Sequence, residues 1–342
     1  VAEISTRLRK RGFDVEIITT DPSGILREEE IVDDVVVRRF RSWAPNDSYF
    51  FSSRLKDYLK RNSGKYDVVH AHNYHAFPSL YAAQAKNGNR LVFTPRYHGG
   101  GHTLFRNLLH TPYRRFGERI FQLADTIICL SKFEQKIVLS GFRVDQRKLE
   151  VIPNGITLAE FARLKRPRSH GRRLLCVSRL EKYKGIDLVI KCLPLLDDAF
   201  TFTIIGEGPQ KNSLLKLIQK SKLRDRVRLL SRVPRGELLG EYANADVFVL
   251  LSRFEAFGNV VAEALASGTR CIVATTSALS EWVDDENCFG ISYPISLDEL
   301  AGLIRQITSK ASEGPAVARL LDWDDVVDRL EPIYMNQISS SQ

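Results

Sequence analysis

No apolar run in this 342-residue chain approaches the roughly 18 consecutive residues that a membrane-spanning helix needs, which excludes an integral helical membrane protein. The five cysteines, Cys129, Cys176, Cys192, Cys271 and Cys288, are odd in number, widely separated and without any Cys-x2-Cys pair. That spacing fits neither a disulfide framework nor a zinc site. It fits small buried hydrophobes in a reducing compartment, so a cytoplasmic protein is expected. No Gly-x-Gly-x2-Gly follows an apolar strand in either half, which removes a nicotinamide dehydrogenase. No nucleic-acid motif or aromatic-interleaved basic stretch occurs, and nucleic acid is not an expected partner. Internal repeats are absent, and the Ser-rich tail around Ser339 to Ser341 is the one biased tract. A strand is also missing ahead of the first helical segment, Ala2 to Gly12, where a parallel α/β domain would have one.

What is present is an alternation of helical periods with short apolar strands, the pattern of α/β domains with parallel sheets. In the first half the strands are expected at Val15 to Thr20, Asp67 to Ala71, Arg90 to Thr94, Asp125 to Leu130 and Leu149 to Ile152. In the second half they are expected at Leu174 to Ser178, Phe200 to Ile205, Val227 to Leu230, Asp246 to Leu251 and Arg270 to Ala274. The chain is long enough for two cores. The turn Pro153-Asn154-Gly155 and the polar stretch Lys165 to Arg173 mark the boundary between them. Three segments follow: residues 1–160, 161–320, and a terminal helix in 321–342. The net charge of +9 is uneven, with about +7 falling in residues 1 to 160. A basic first half suits an anionic surface or substrate, such as a phospholipid head group or lipid pyrophosphate, and equally a solvated basic face.

The richest segment runs from Arg253 to Gly268. The apolar strand ending at Leu251 enters a loop holding Glu255, and a helix opening near Gly258 carries Glu263 about one and a half turns along. The amides of Gly258, Asn259, Val260 and Val261, with Phe257 just before them, would form an anion site at the positive end of that helix. Glu255 and Glu263 on either side could accept from sugar hydroxyls. A phosphate flanked by hydroxyls is what a nucleotide-sugar donor presents. The blander account, a buried helix with two incidental acids, is weakened by the strand, helix, strand setting, since open parallel sheets bind ligands at strand carboxyl ends. Earlier, Arg179 and Lys184 flank the turn after the strand Leu174 to Ser178, and both could reach one phosphate.

These elements resemble glycosyltransferase family 4, whose members are retaining and have the GT-B fold of two doubly wound, Rossmann-like α/β domains facing a cleft. Glu255 and Glu263 are similar to its Glu-x7-Glu signature, and Arg179 with Lys184-Gly185 to its Arg-x4-Lys-Gly element. Gly206-Glu207-Gly208-Pro209 is likewise similar. The loop Ser231-Arg232-Val233-Pro234 corresponds to one that holds the nucleotide base through main-chain groups near Val233. The strand Ala124 to Ser131, the turn Ile152 to Gly155 and the Trp323 segment extend the resemblance over nearly the whole chain. The terminal helix of the family crosses back onto the first domain. Members begin with a strand and a Gly-rich turn ahead of the first helix, and here Val1 starts inside that helix. The first domain is therefore expected to lack its N-terminal strand, which bears on the activity of this exact chain.

In the first half, His98 lies in the loop after the strand Arg90 to Thr94, where the family places a His that faces the donor sugar; His102 is the substitute. His70, His72 and His75 cluster at another strand end, where His70 and His72 would share one face. Without a further ligand at suitable spacing, acceptor binding or local packing is favoured over a metal. Tyr113, Arg114, Arg115 and Phe116 suit either a membrane surface or a solvated helix face. Asp322 and Asp324 form the one Asp-x-Asp, far in sequence from the other motifs.

The resemblance implies a retaining hexosyltransferase that needs no metal or other cofactor. Its donor would be GDP-mannose or a UDP-hexose and its acceptor lipid-linked or a polysaccharide, with work at the cytoplasmic face of a membrane. Arg179, Lys184, Glu255 and His98 would be catalytic, and Gly206, Val233, Phe257, Gly258, Asn259, Val260, Val261 and Glu263 would bind the donor. A noncatalytic or truncated relative and a sugar-nucleotide epimerase are the alternatives.

Overall fold

The computed structural model describes residues 1–45, 49–99, 104–164, 172–309 and 316–335. The stretch 165–171, the serine tail and His102 lie outside the described residues. Chain contacts divide the protein into a unit of Val1–Gly155 with Trp323–Gln342 and a unit of Ile156–Asp322.

The first unit holds two sheets. In one, β1 (Glu16–Asp21) pairs in parallel with β3 (Val35–Arg41), which pairs antiparallel with β2 (Glu29–Val32). The other is all parallel, in the order β4 (Val68–His72), β5 (Arg90–Thr94), β6 (Thr126–Cys129), β7 (Leu149–Val151). No ladder joins β1 to β4 among the described residues. Leu91, Phe93, Phe121 and Ile127 are fully buried between sheet and helices. Ser52 and Ser131 cap the helices Ser53–Asn62 and Lys132–Gly141 with their side chains, so each helix starts where the sequence offers an acceptor. The last helix, Trp323–Met335, packs on the first, Ala2–Lys10. Arg11 there pairs with Asp328 and Glu331, at 2.6 and 2.9 Å.

The second unit is one six-stranded parallel sheet. Its strands are β8 (Arg173–Val177), β9 (Thr201–Ile205), β10 (Val227–Leu230), β11 (Val247–Leu250), β12 (Arg270–Ala274) and β13 (Cys288–Ile291), in the order β10-β9-β8-β11-β12-β13. β11 is buried from end to end, as a strand covered on both faces must be. One apolar cluster, including Ile190, Phe202 and Ile304, covers one face; another, including Tyr242, Phe248 and Leu265, covers the other. The order reverses direction between β8 and β11, and the crevice beyond the strand ends at such a switch point is where open α/β sheets hold ligands.

All ten expected strands form, each within one or two residues. Three more, β2, β3 and β13, were not expected from the sequence.

Candidate functional site

The loops after β8 and β11 adjoin, because those strands pair directly. Motifs about 70 residues apart thereby meet. Lys184 Nζ donates to Glu255 Oε1 at 2.5 Å, with side chains 11% and 18% exposed. The Lys184 ammonium also sits 5.3 Å from the centre of the Tyr183 ring, and the Tyr183 hydroxyl accepts from Arg179 Nη2 at 2.9 Å. The sequence suggested that Arg179 and Lys184 reach one phosphate together. Here each holds its own partner, and Tyr183 links the two.

Close approach decides two glycines, by backbone at one and by a side chain at the other. A Cβ on Gly206, whose φ is +153°, would lie 1.9 Å from the Ser178 carbonyl oxygen, because the turns after β8 and β9 touch there. Gly258 opens the helix Asn259–Ala266 at φ +95°, and a Cβ would meet Leu279 at 2.8 Å. Trp282 fixes this turn by donating Nε1–H to the Phe257 carbonyl at 2.7 Å, its ring against that of Phe257. Val261, expected to present its amide outward, donates it to the Gly258 carbonyl at 2.8 Å. The first turn is tight enough to close that bond internally, so the Val261 amide is used within the helix.

Glu263 points back along its helix. Its Oε2 accepts from the Tyr242 hydroxyl at 2.9 Å and its Oε1 from Arg235 Nη1 at 2.6 Å. Arg235 also binds Glu160 through Nη2 at 2.7 Å. Burial would lower the Arg235 pKa, but the two carboxylates outweigh it and raise it. The second carboxylate of the motif is thus charge-balanced and held in one rotamer. Val233 is partly buried against the cluster that contains Tyr242, and beside it Ser231 Oγ accepts from Lys211 Nζ at 2.8 Å. Tyr183, Arg235, Tyr242 and Trp282 were not singled out by sequence reasoning. Tyr183 lies inside the Arg179 to Lys184 segment but is uncharged, and Arg235, Tyr242 and Trp282 are too far along the chain from the residues they hold to leave a spacing to read.

In the first unit, the loop after β5 carries His98, whose ring lies 5.9 Å from that of His75 at 28°. His70 and His72 share a strand face and stack at 4.1 Å. The His70 ring nitrogens bond Thr94 Oγ1 at 2.8 Å and the Tyr334 hydroxyl at 2.7 Å. Burial holds both imidazoles neutral, His70 at about 3 and His72 well below its ordinary value. Tyr113 is buried, its hydroxyl donating to the Tyr74 carbonyl at 2.6 Å, while Phe116 is exposed. Asp322 accepts from the Leu158 amide at 3.0 Å, and Asp324 pairs with Arg7 at 3.2 Å. Among the described residues no group of three or more His, Cys, Asp or Glu could hold a metal ion, and no helix is long and apolar enough to cross a membrane.

Residues 1–160 match the model described as Glycosyltransferase Family 4, and residues 160–316 the model described as Glycosyl transferases group 1. The glycogen synthase of Mycobacterium tuberculosis is 26% identical over 98% of this chain and 89% of its own. In structure, the sucrose-phosphate synthase of Thermosynechococcus elongatus is similar, with a TM-score of 0.81 at 18% identity over 99% of this chain and 92% of that one. HepE of Anabaena, solved with UDP and glucose, has a TM-score of 0.73 at 18% identity, covering 97% and 93%. These two likenesses are of fold, the GT-B arrangement of two Rossmann-like domains.

Proposed function

The chain belongs to the glycosyltransferases, with a family 4 domain in its first half and a group 1 domain in its second, and on that premise we propose a retaining transfer from a nucleotide-diphosphate sugar, GDP-mannose or a UDP-hexose. The observation that carries this reading is the meeting of Lys184 with Glu255 beside the glycine turn that opens the helix at Asn259. An ammonium, a guanidinium at Arg179 and a helix end supply positive charge where a diphosphate would depart. A carboxylate already set beside that charge can accept from a hydroxyl of the sugar.

In the proposed reaction the bond from the anomeric carbon to the diphosphate oxygen breaks while the acceptor hydroxyl oxygen bonds to the same carbon on the same face. Its proton passes to the departing phosphate oxygen, so no nucleophile from the protein is needed. Arg179, Lys184 and the helix end at Phe257 to Val260 stabilise the leaving charge, which makes a divalent ion unnecessary. Glu255 and His98 orient the sugar by hydrogen bonds. Glu263, fixed by Arg235 and Tyr242, takes the ribose. Gly206 allows the backbone to approach the donor, and main-chain groups near Val233 take the base.

The acceptor we assign is lipid-linked or a polysaccharide, reached from the cytoplasmic face of a membrane. The basic first half supports the lipid alternative, and the likeness to a glycogen synthase supports the glycan. The test is a panel of GDP- and UDP-sugars, following thermal shift and nucleotide release with lipid and glycan acceptors. Stabilisation by one donor, with release accelerated by an acceptor and lost in Glu255→Gln, supports the transfer. Interconversion of the sugar without acceptor would identify an epimerase instead.

A further inference from the structure

Glu134 has no solvent exposure at all, although it lies in the first turn of the helix Lys132–Gly141. The capping of that helix is provided by Ser131, whose hydroxyl accepts from the Glu134 amide at 3.0 Å. The Glu134 carboxylate does something else. One oxygen accepts from the Leu130 amide, just past the end of β6, at 2.7 Å, and the other accepts from the Tyr97 amide through a short bond. An acid at this helix position ordinarily reaches back to the capping residue's own amide. Here it reaches past that residue and into a separate loop.

That loop carries His98. Arg96 sits in the left-handed region at φ +51°, an unfavourable conformation for a side chain of its size, and the next residue is pinned by Glu134. The Tyr97 ring is buried against Tyr74 and Phe142, with centroids 5.1 and 5.2 Å away. Beyond His98, Gly99 turns at φ +101° with open space around it. Among the described residues Tyr97, the neighbour of His98, is thus held both by its amide and by its ring, which constrains the direction of His98 from that side. A fully buried carboxylate is costly, and a neutral acceptor would satisfy one amide as well. An acceptor-only group serves best where two amides from two segments must be held at once.

We propose that Glu134 is a positioning residue for the reaction: by holding the Tyr97 amide it fixes the aim of His98 at the sugar. This rests on the role given to His98 above. The charged and titratable groups that face Glu134 are Arg96, from the loop after β5, and Cys129, from β6. Burial raises the carboxyl to about 7, against the two amides and Arg96, which lower it. Burial also raises the Cys129 thiol, which stays protonated. As pH falls through about 7, a proton on either oxygen removes acceptor capacity that the two amides use, and the loop loses its anchor.

The experiment measures kcat, donor KM and Tm across neutral pH for the wild type, Glu134→Gln, His98→Asn, the double variant and Ser131→Ala. Glu134→Gln is expected to lower kcat about tenfold to a hundredfold with donor KM unchanged, the size that displacement of a positioned group brings. Its acidic limb should flatten, and the double variant should be no slower than His98→Asn alone. Losses that multiply in the double variant would overturn the inference, because Glu134 would then act elsewhere. An equal loss in Ser131→Ala would also overturn it, since helix capping would explain the effect. Full turnover in His98→Asn sinks the role of His98 itself, and the inference with it. Should Glu134→Gln fail to fold, the wild-type profile decides: a kcat that falls on the acidic side of pH 7, read at a temperature well below Tm at every pH, supports the anchor, and a flat profile removes it.

Discussion

Lys184 and Glu255 of the second unit meet as an ion pair at 2.5 Å, and Arg235 forks between Glu263 and Glu160. His70 and His72 of the first unit stack as neutral rings, and the loop of His98 is tied down by a buried carboxylate and aromatic packing. Around these candidate residues the second unit orders its polar groups by charge against charge, and the first by burial. The difference follows from what each is proposed to bind. A diphosphate is the same object for every nucleotide sugar and demands fixed positive charge. An acceptor is defined by shape and a few hydrogen bonds.

The comparison breaks most sharply at the ion pair. Lys184→Ala should lower kcat by about 10²- to 10³-fold, the loss seen when one preorganised stabilising group is removed, as read by nucleotide release at saturating donor and acceptor. Retention of full kcat would mean that the charge does not act on the leaving group. A stability test contrasts two glycines of the two units. Gly206→Ala places a methyl 1.9 Å from a carbonyl oxygen and should destabilise by about 3 kcal/mol or more, while Gly99→Ala meets open space and should cost about 1 kcal/mol of backbone strain. Urea unfolding of both variants checks the ratio, and equal losses would contradict the close approach of the turns after β8 and β9.

Burial of His70 sharpens the contrast through pH. Its folded pKa is depressed to about 3 from an ordinary 6.5, so the unfolded chain binds the proton first as pH falls. Stability from this group is complete above about pH 6.5 and is lost as pH falls from there toward 3, by about 2 kcal/mol allowing for partial exposure. The Tm of His70→Asn should therefore fall less than that of the wild type between neutral and mildly acidic pH. Smallest is the effect at Arg235, which touches Glu263 and not the reacting atoms. Arg235→Ala should raise donor KM about tenfold with kcat nearly unchanged. A kcat loss as large as that of Lys184→Ala would move Arg235 into the reaction itself.

Legibility in the sequence varied with the kind of signal. β8 and β11 were readable because strands covered on both faces are apolar throughout. β2 and β3 were not, because the turn joining them is Asp33-Asp34, both at positive φ, where Asn-Gly or Asp-Gly would have announced a hairpin. β13 is four residues long, and its start is organised by Asp284, whose side chain accepts from the amides of Glu286, Asn287 and Cys288. The glycine at 258 and the carboxylates at 255 and 263 were legible because a turn and the helix after it fix their spacing locally. Tyr242 and Arg235 were silent, since their contacts with Glu263 are made by a helix 20 to 30 residues away.

Periodicity and turn residues were enough to specify the α/β class and the ten main strands, and local spacing was enough to single out Arg179, Lys184, Glu255 and Glu263 as candidates. Those features depend on the chain's immediate neighbours, and a local code can carry them. Which partner each charge takes depended on packing: the pairing of β8 with β11 put Lys184 on Glu255, and the entry of Glu134 beneath the loop of His98 needed β5, β6 and a helix together. Contacts between segments distant along the chain have no spacing of their own, so only the folded sheet order fixes them.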